Sequence, residues 1–329
     1  MVSRTKPDLL SNLPDCLLVL IISFLPFKQS VQTSVLAKRW RNLCRETTNL
    51  VFKESEFINQ SVVDIETKKS ERALFAGVMH EWISRFTGKT IENFELCLPE
   101  PVGFEADIIS LIEFAASKQT KNLVLDLSSP NSREPGAIHI IMLVKFQNNI
   151  LDITRLFFNL IYVRNLTICP FLLEMIQDCD DLMELHEPMK TQHLVIKTHM
   201  YPHEFAGMTI FLNSCPELES LTFDTDTTGP IVRRSPPIDP KTFWLNNKTY
   251  ECLERTLKVV KVKNFRSKSN ELHVLQYLIR TGRVMEQLDL YEAKGLNDDK
   301  RMLVLAAAEE MQQIVKKCSR HVRVTLHNA

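Results

Sequence analysis

The chain has 329 residues with 40 basic and 40 acidic side chains, so its formal net charge at pH 7 is zero. This length accommodates two or three structural units, and the balanced charge argues against a nucleic-acid-binding surface, which needs a clear cationic excess. Only eight glycines occur, where average usage predicts roughly 23. None lie close together, which excludes the glycine-rich loops that cradle phosphates. The longest apolar run has about half of the roughly 20 residues that a membrane-spanning helix needs, so no membrane segment is expected.

Residues 13–43 form the most distinctive stretch of the sequence. From Cys16 to Leu25 every position except Ser23 is apolar, so a helix formed here has almost no polar face. Pro26 ends this helix, and two shorter helical patterns follow, the second carrying Trp40. Three helices in roughly 40 residues cannot bury this much apolar surface alone, so we expect a partner protein to cover the surplus. The alternatives are the core of a larger domain and a signal peptide, for which no small-residue cleavage site follows the run.

The residues of this stretch stand in an order that is typical of a known module. The matching groups are Leu13-Pro14-Asp15, Leu17-Leu18, Ile21, Phe24-Leu25-Pro26, Thr33-Ser34-Val35-Leu36 and Lys38-Arg39-Trp40-Arg41. Residues 8–50 therefore resemble the plant F-box, a three-helix module that docks on a Skp-type adaptor and thereby joins a cullin ubiquitin ligase. The sequence departs from the family at Cys16 and Gln29, where acidic residues are usual, and at Ala37, where serine is common.

The resemblance implies which residues contact the adaptor. They are the apolar and proline residues of the motif: Leu13, Pro14, Leu17, Leu18, Ile21, Leu25, Pro26, Val35, Leu36 and Trp40. Some of them must form the module's own core instead, and the sequence does not sort the two groups. Trp40 is expected to do both.

Residues 51–92 are expected to connect this module to the rest of the chain. The segment 51–69 is mixed and charged and has no clear periodicity. A bridging helix is predicted from Ala73 to Phe86, because Leu74, Val78, Trp82 and Phe86 then lie on one face.

Beyond residue 93 the sequence contains a weak repeat. Short alternating apolar segments recur at intervals of 27 to 43 residues, several of them close to the spacing of leucine-rich repeats. The predicted strands are 94–98, 123–127, 166–168, 194–196, 221–223, 260–262, 288–290 and 322–326, with 156–158 as a candidate for one more. Amphipathic helices between them, such as one with Ile108, Leu111, Ile112 and Ala115 on one face, predict parallel strands joined by crossovers. We therefore expect degenerate leucine-rich repeats over residues 93–240, with loops at 128–135 and 224–240.

The last part of the chain, residues 241–329, resembles the FBD region that follows degenerate leucine-rich repeats in plant F-box proteins. The resemblance is carried by residues 251–253, 257–265, a predicted helix over Glu271–Arg280, and 284–288. A final helix is predicted over about Asp298–Lys317, before a terminal strand. Its apolar residues available for burial are Met302, Leu305, Met311, Ile314 and Val315.

No catalytic, cofactor or metal site is predicted. The eight cysteines form no CxxC pair, which indicates reduced, buried thiols of a cytosolic or nuclear protein, and Cys44 is expected to pack in a core. The histidines at 186, 193, 199 and 203 match no zinc-finger spacing. An acidic patch at 178–187 and a basic patch at 258–268 are expected to be solvated, the basic one around an edge strand. Docking of a partner is the alternative for both patches.

Together the resemblances imply an α+β or α/β repeat architecture. An N-terminal three-helix F-box precedes an irregular leucine-rich-repeat solenoid, with parallel strands and crossover helices, which ends in an FBD region. They imply a non-enzymatic substrate-recognition subunit of an SCF-type ubiquitin ligase in the cytoplasm, the nucleus or both. Its partners would be a Skp-type adaptor, through it cullin, and an unidentified protein substrate, with no nucleic acid, membrane or cofactor. The alternative is a non-ligase interaction scaffold with a degenerate F-box.

Overall fold

A computed structural model of the chain describes residues 10, 12–58, 64–99, 103–127, 159–176, 187–225, 239–245, 248–318 and 320–328. The described elements are a small helical module at the N-terminus, one nine-stranded sheet, and helices that pack on one face of that sheet. Within these residues no helix is both long enough and apolar enough to cross a bilayer.

Three short helices and two 3-10 turns make up the N-terminal module. They are α1 (Asp15–Ser23), α2 (Phe27–Gln32), the turn Thr33–Val35, α3 (Lys38–Leu43) and the turn Cys44–Glu46. Pro14 and Pro26 immediately precede α1 and α2. A proline at a helix start loses no intrahelical hydrogen bond, because the first N–H groups of a helix have no partner within it.

The nine strands pair in parallel and follow one another across the sheet in chain order. They are β1 (Asn49–Lys53), β2 (Asn93–Cys97), β3 (Asn122–Asp126), β4 (Asn165–Ile168), β5 (His193–Lys197), β6 (Ser220–Asp224), β7 (Val259–Phe265), β8 (Gln287–Glu292) and β9 (Arg323–His327). Apolar residues at alternate positions, such as Leu50 and Phe52 in β1, are buried on one face. Because neighbouring strands are parallel, each connection must cross over, and this stacks one repeat beside the next.

The connecting helices cover the apolar face of the sheet. They are α4 (Glu54–Phe57), α5 (Ile65–Ser84), α6 (Glu105–Ser117), α7 (Pro170–Ile176), α8 (Phe205–Ser214), α9 (Pro240–Leu245), α10 (Glu251–Arg255), α11 (Ser269–Thr281) and α12 (Asp298–Lys317). A single buried core runs along the sheet from β1 to β8, and Val324 and Leu326 of β9 pack against its end. The sheet is continuous between β6 and β7, so the C-terminal part of the chain extends the same stack.

The fold class predicted from the sequence is confirmed. Each of the eight predicted strands overlaps one of the strands β2–β9. The stripe predicted for α6 is buried along its whole length, and the last helix has the predicted bounds. The candidate strand at 156–158 lies outside the described residues.

The connector at 51–92 differs from the prediction in two respects. Strand β1 extends into it, since this strand directly follows the helical module. The predicted bridging helix is present as α5 but begins earlier, at Ile65, and its predicted face is only half correct: Phe86 is buried and Trp82 half-buried, whereas Leu74 and Val78 are exposed. Phe75 and Met79 are buried in place of those two residues. Two neighbouring stripes of this helix have the same spacing, and the spacing alone cannot choose between them. The inner stripe is the one whose Phe75 ring packs 4.9 Å from Phe57.

Two further predictions for the C-terminal part are wrong. In α12, Met302 and Leu305 are exposed, because the side of the helix that faces the core is the one with Val304, Ala307 and Ala308. The basic strand β7 does not lie at a sheet edge, since it pairs with β6 on one side and β8 on the other.

Candidate functional site

The N-terminal module has a small core of its own. Leu18 and Ile22 of α1 pack against Trp40 and Leu43 of α3 and against Cys44. These two α1 residues are one turn apart and point to the same side, as i and i+4 positions do. Val19 packs against the edge of this core, whereas Leu17, Leu20 and Ile21 point away from it.

The exposed apolar residues outside this core form an exposed apolar face on the module. It consists of Leu10, Leu17, Leu20, Ile21, Phe24, Val35 and Leu36. The four residues from α1 and its end recur at helical spacing and so form one continuous stripe. Val35 is 82% exposed and Phe24 79% exposed, which is unusual for apolar side chains grouped together. This exposed apolar face is the surplus surface that the sequence led us to expect.

The structure sorts the ten residues predicted for adaptor contact. Leu18 and Trp40 are buried, and Trp40 is only 7% exposed. Leu13 and Leu25 are half-buried, and the remaining six are exposed: Pro14, Leu17, Ile21, Pro26, Val35 and Leu36. Three exposed apolar residues, Leu10, Leu20 and Phe24, were missing from that set. For Leu20 and Phe24 the signal was the nearly continuous apolar run itself, which leaves almost no polar side to face water.

An ion pair fixes the segment that leads into α1. The Arg39 guanidinium lies 2.5 Å from the Asp15 carboxylate and donates a second hydrogen bond of 2.6 Å to the Leu13 carbonyl. A planar guanidinium can hold two acceptors at once in a fixed geometry. Arg39 therefore ties the Leu13-Pro14 segment, at one end of the exposed apolar face, to α3.

The module is joined rigidly to the sheet. The Ser23 hydroxyl accepts a 3.1 Å hydrogen bond from the Thr48 N–H, and the Asn49 amide donates to the Ser23 carbonyl at 3.1 Å. Phe27 of α2 belongs to the core of the sheet, with its ring 4.8 Å from that of Phe52. The orientation of the exposed apolar face relative to the sheet is thus set by packing.

The face of the sheet opposite the helices forms a second surface, the open face. Strand pairing brings one residue per strand into a row: Val51, Glu95, Val124, Thr167, Val195, Thr222, Lys261, Asp289 and Thr325. A parallel row of asparagines begins the first four strands. In it the Asn122 amide donates to Asn93 at 2.5 Å, and Asn165 donates to Asn122. Such a face presents polar groups and half-exposed valines together.

Ion pairs lie along the carboxyl ends of the strands on the open face. Lys197 of β5 reaches across β4 to Asp126 of β3 at 2.5 Å, and Lys53 pairs with Glu95 at 3.1 Å. Burial opposes the charge of Lys197, but its hydrogen bond and its charge attraction with Asp126 act together, and the pKa of the ammonium is raised. These side chains are held in place on the surface.

The C-terminal end of the open face carries free cations beside a buried carboxylate. Lys261 and Lys263 of β7 have no ion-pair partner among the described residues. Asp289 is buried and accepts hydrogen bonds from Gln287 at 2.7 Å and from His327 at 3.2 Å. Of the basic patch predicted at 258–268, Lys261 and Lys263 therefore lie on the open face.

Four of the described thiols are poor candidates for chemistry. Burial raises the pKa of Cys44, and it raises the pKa of Cys97, Cys169 and Cys252 to about 12 in each case. A protonated thiol is a weak nucleophile. No group of three or more His, Cys, Asp and Glu side chains in the described part of the chain is placed to hold a metal ion. The acidic residues 178–184 lie outside that part.

Two family models match the chain. The F-box domain matches residues 10–51, which include the exposed apolar face. The FBD matches residues 247–290, which include α10, β7, α11 and much of β8.

Curated relatives match along nearly the whole chain. A putative F-box/LRR-repeat protein of Arabidopsis thaliana is 32% identical over 465 residues, covering 97% of this chain and 98% of its own length. A second putative F-box/LRR-repeat protein of the same plant is 30% identical, covering 96% and 98%. A putative F-box protein, also from Arabidopsis thaliana, is 30% identical with complete coverage of both chains.

Proposed function

The chain belongs to the plant F-box/LRR-repeat proteins, and on this premise we propose that it is the substrate-recognition subunit of an SCF-type ubiquitin ligase. Its exposed apolar face docks on a Skp-type adaptor, and through the adaptor the chain joins cullin. Its open face binds a protein substrate.

The exposed apolar face is the observation that supports adaptor docking most directly. Completing the burial of its residues in α1 and around the Thr33–Val35 turn would contribute roughly 5–11 kcal/mol, given their present exposure. Association itself costs roughly 4–15 kcal/mol. The face is therefore large enough to anchor a partner, with shape and polar contacts deciding the final affinity.

A pull-down with a purified Skp-type adaptor tests this docking. The double variant Leu17→Asp/Ile21→Asp places two charges on the exposed apolar face and leaves the module core of Leu18 and Ile22 intact. We expect it to lose adaptor binding while its melting temperature stays close to that of the wild type. The control is Met302→Asp/Leu303→Asp, which charges an apolar pair on α12 that is even more exposed than Leu17 and Ile21. Adaptor binding by the Leu17→Asp/Ile21→Asp variant at wild-type strength would refute docking through this face.

Cullin distinguishes the ligase from the scaffold alternative. If the chain is a ligase receptor, cullin co-purifies with it in the presence of the adaptor and is lost with the Leu17→Asp/Ile21→Asp variant. A scaffold with a degenerate F-box would bring no cullin under the same conditions.

The open face supports substrate binding because its side chains are held in position and are not covered by helices. Half-exposed Val124 and Val195 lie at equivalent positions two strands apart, and repeat proteins bind partners along extended faces of this kind. The double variant Val124→Arg/Val195→Arg should leave adaptor binding unchanged. When the ligase is inhibited, substrates that bind the open face should accumulate with the wild-type chain but not with this variant. Glu309→Arg on the exposed side of α12 is the control, and unchanged substrate levels in both variants would contradict the assignment.

The proposed receptor acts by proximity and supplies no reacting group. A substrate held near a charged conjugating enzyme reacts at a raised effective concentration. The raised pKa of Cys44, Cys97, Cys169 and Cys252 supports this part of the proposal, because protonated thiols are weak nucleophiles and accept ubiquitin poorly.

A further inference from the structure

A groove lies between the N-terminal module and α5, apart from both surfaces described above. Its volume is about 510 Å³, within the range of sites that hold a ligand or a few side chains of a partner. Its floor is apolar and is formed by Val31, Cys44, Val78 and Trp82. None of the residues of the exposed apolar face lines it.

The floor continues along an unpartnered stripe of α5. Val78 is 39% exposed, and Leu74, one turn earlier on the same side, is 71% exposed. The inner side of α5 is already filled by Phe75 and Met79. The helix therefore presents a second apolar stripe that the rest of the described chain leaves uncovered.

The rim of the groove is basic. Arg41, Arg45 and Arg85 line it, with Glu81 as the single carboxylate. Arg85 pairs with Glu81 at 2.8 Å, whereas the side chains of Arg41 and Arg45 have no ion-pair partner in the described part of the chain. Two unneutralised guanidinium groups thus stand beside an apolar floor.

We propose that this groove binds an acidic amphipathic helix of a partner protein. The apolar stripe of such a helix would cover Val78, Trp82 and Leu74, as in other helix-in-groove complexes. Its carboxylates would pair with Arg41 and Arg45, because a guanidinium group can bind a carboxylate through two parallel hydrogen bonds. A small anion alone would leave the apolar floor exposed, so the floor favours a helix.

Two synthetic helical peptides test the charge requirement on the unmodified full-length chain. Both peptides carry leucines along one side. In one peptide glutamates flank the leucines, and in the other peptide lysines stand in place of those glutamates. By fluorescence anisotropy we expect the glutamate peptide to bind saturably and more weakly as salt is raised. We expect the lysine peptide to bind roughly tenfold more weakly or not at all. Equal binding of the two peptides, or no binding of the glutamate peptide, would overturn the proposal.

Variants then locate the site. Two variants should each bind the glutamate peptide roughly tenfold more weakly or worse. They are the double variant Arg41→Glu/Arg45→Glu and, separately, Val78→Glu. The controls Lys316→Glu, on α12, and Ala73→Glu, exposed on α5 outside the groove lining, should bind the peptide like the wild type. Far-UV circular dichroism checks that each variant is folded. Wild-type peptide binding by both groove variants would overturn the location.

The adaptor pull-down separates this groove from the exposed apolar face. We expect the groove variants to retain the adaptor, and Leu17→Asp/Ile21→Asp to retain the peptide. If the groove variants lose the adaptor, the groove is part of the adaptor interface and the proposal of a separate site fails.

Discussion

Gly207 allows two helices of the stack to touch, and its substitution by alanine tests the packing directly. Gly207 lies in α8, which packs against α7. A Cβ atom at this position would lie 2.4 Å from the Leu173 carbonyl oxygen and 2.8 Å from the Leu173 Cα atom. Ordinary contact begins at 3.4 Å, so the helices would have to separate by about 1 Å. Because both atoms belong to the backbone, no side-chain rotation can relieve the clash.

Two opposing effects set the magnitude of the Gly207→Ala substitution. Alanine is favoured over glycine in a helix interior by about 1 kcal/mol, whereas overpacking a close contact costs typically 1–3 kcal/mol and occasionally more. Since the clash is with backbone, we expect the larger cost and a net destabilisation of about 1–2 kcal/mol. In a chain of this size that lowers the melting temperature by a few degrees.

Gly77→Ala is the matched control for the Gly207→Ala substitution. Gly77 is also helical, in α5, but an added Cβ would have no atom within 4 Å. The propensity gain then acts alone, so this variant should be more stable by about 0.5–1 kcal/mol. Urea denaturation and thermal melting followed by circular dichroism measure both. If Gly207→Ala is as stable as the wild type while Gly77→Ala is stabilised, the close approach of α7 and α8 is refuted.

Three further predictions concern the joint between the N-terminal module and the sheet, the ion pair of Arg39 with Asp15, and the buried acid Glu204. Phe27→Ala should speed amide exchange at Thr87 and Gly88, whose N–H groups donate to the Arg45 carbonyl across the joint, while adaptor binding persists because Phe27 is outside the module core. Arg39→Ala should weaken adaptor binding roughly threefold to tenfold without moving the melting temperature. Burial raises the pKa of Glu204 from 4.5 to about 7, so between these pH values only the folded state keeps the proton and stability falls as pH rises, by on the order of 3 kcal/mol. Glu204→Gln should flatten this part of the profile in denaturation at several pH values.

The strands could be predicted because most of them alternate buried and open positions over a short, regular span. The same regularity gives no information on which of two equivalent helix stripes faces inward, which is why the prediction for α5 was wrong at Leu74 and Val78. Strand β1 was missed for a related reason, since it lies directly against the helical module and is followed at once by the charged α4. Its role depends on pairing with β2, a contact 44 residues away in sequence (Asn49 with Asn93).

The candidate sites show the same division between local and long-range information. The motif identified the N-terminal module, but separating Leu18 from Leu17 needed the position of α3, against which only Leu18 packs. The open face could not be read from the sequence either, because its ion pairs join different strands. The pair between Lys197 and Asp126 spans 71 residues of chain and skips the intervening strand, so no local pattern predicts it.

The joint between module and sheet determines how the two proposed binding surfaces can act together. A flexible linker would let a bound substrate sample many directions, which lowers its effective concentration at any one point. Here Phe27 lies in the core of the sheet and Ser23 is bonded to Thr48 and Asn49, so the two surfaces keep one mutual orientation. A substrate on the open face would then meet the conjugating enzyme from a fixed direction, and only lysines on the side turned toward that enzyme would be within reach. Under the proposed function, the choice of ubiquitination sites on a substrate therefore depends on how the substrate is oriented on the open face as well as on how tightly it binds.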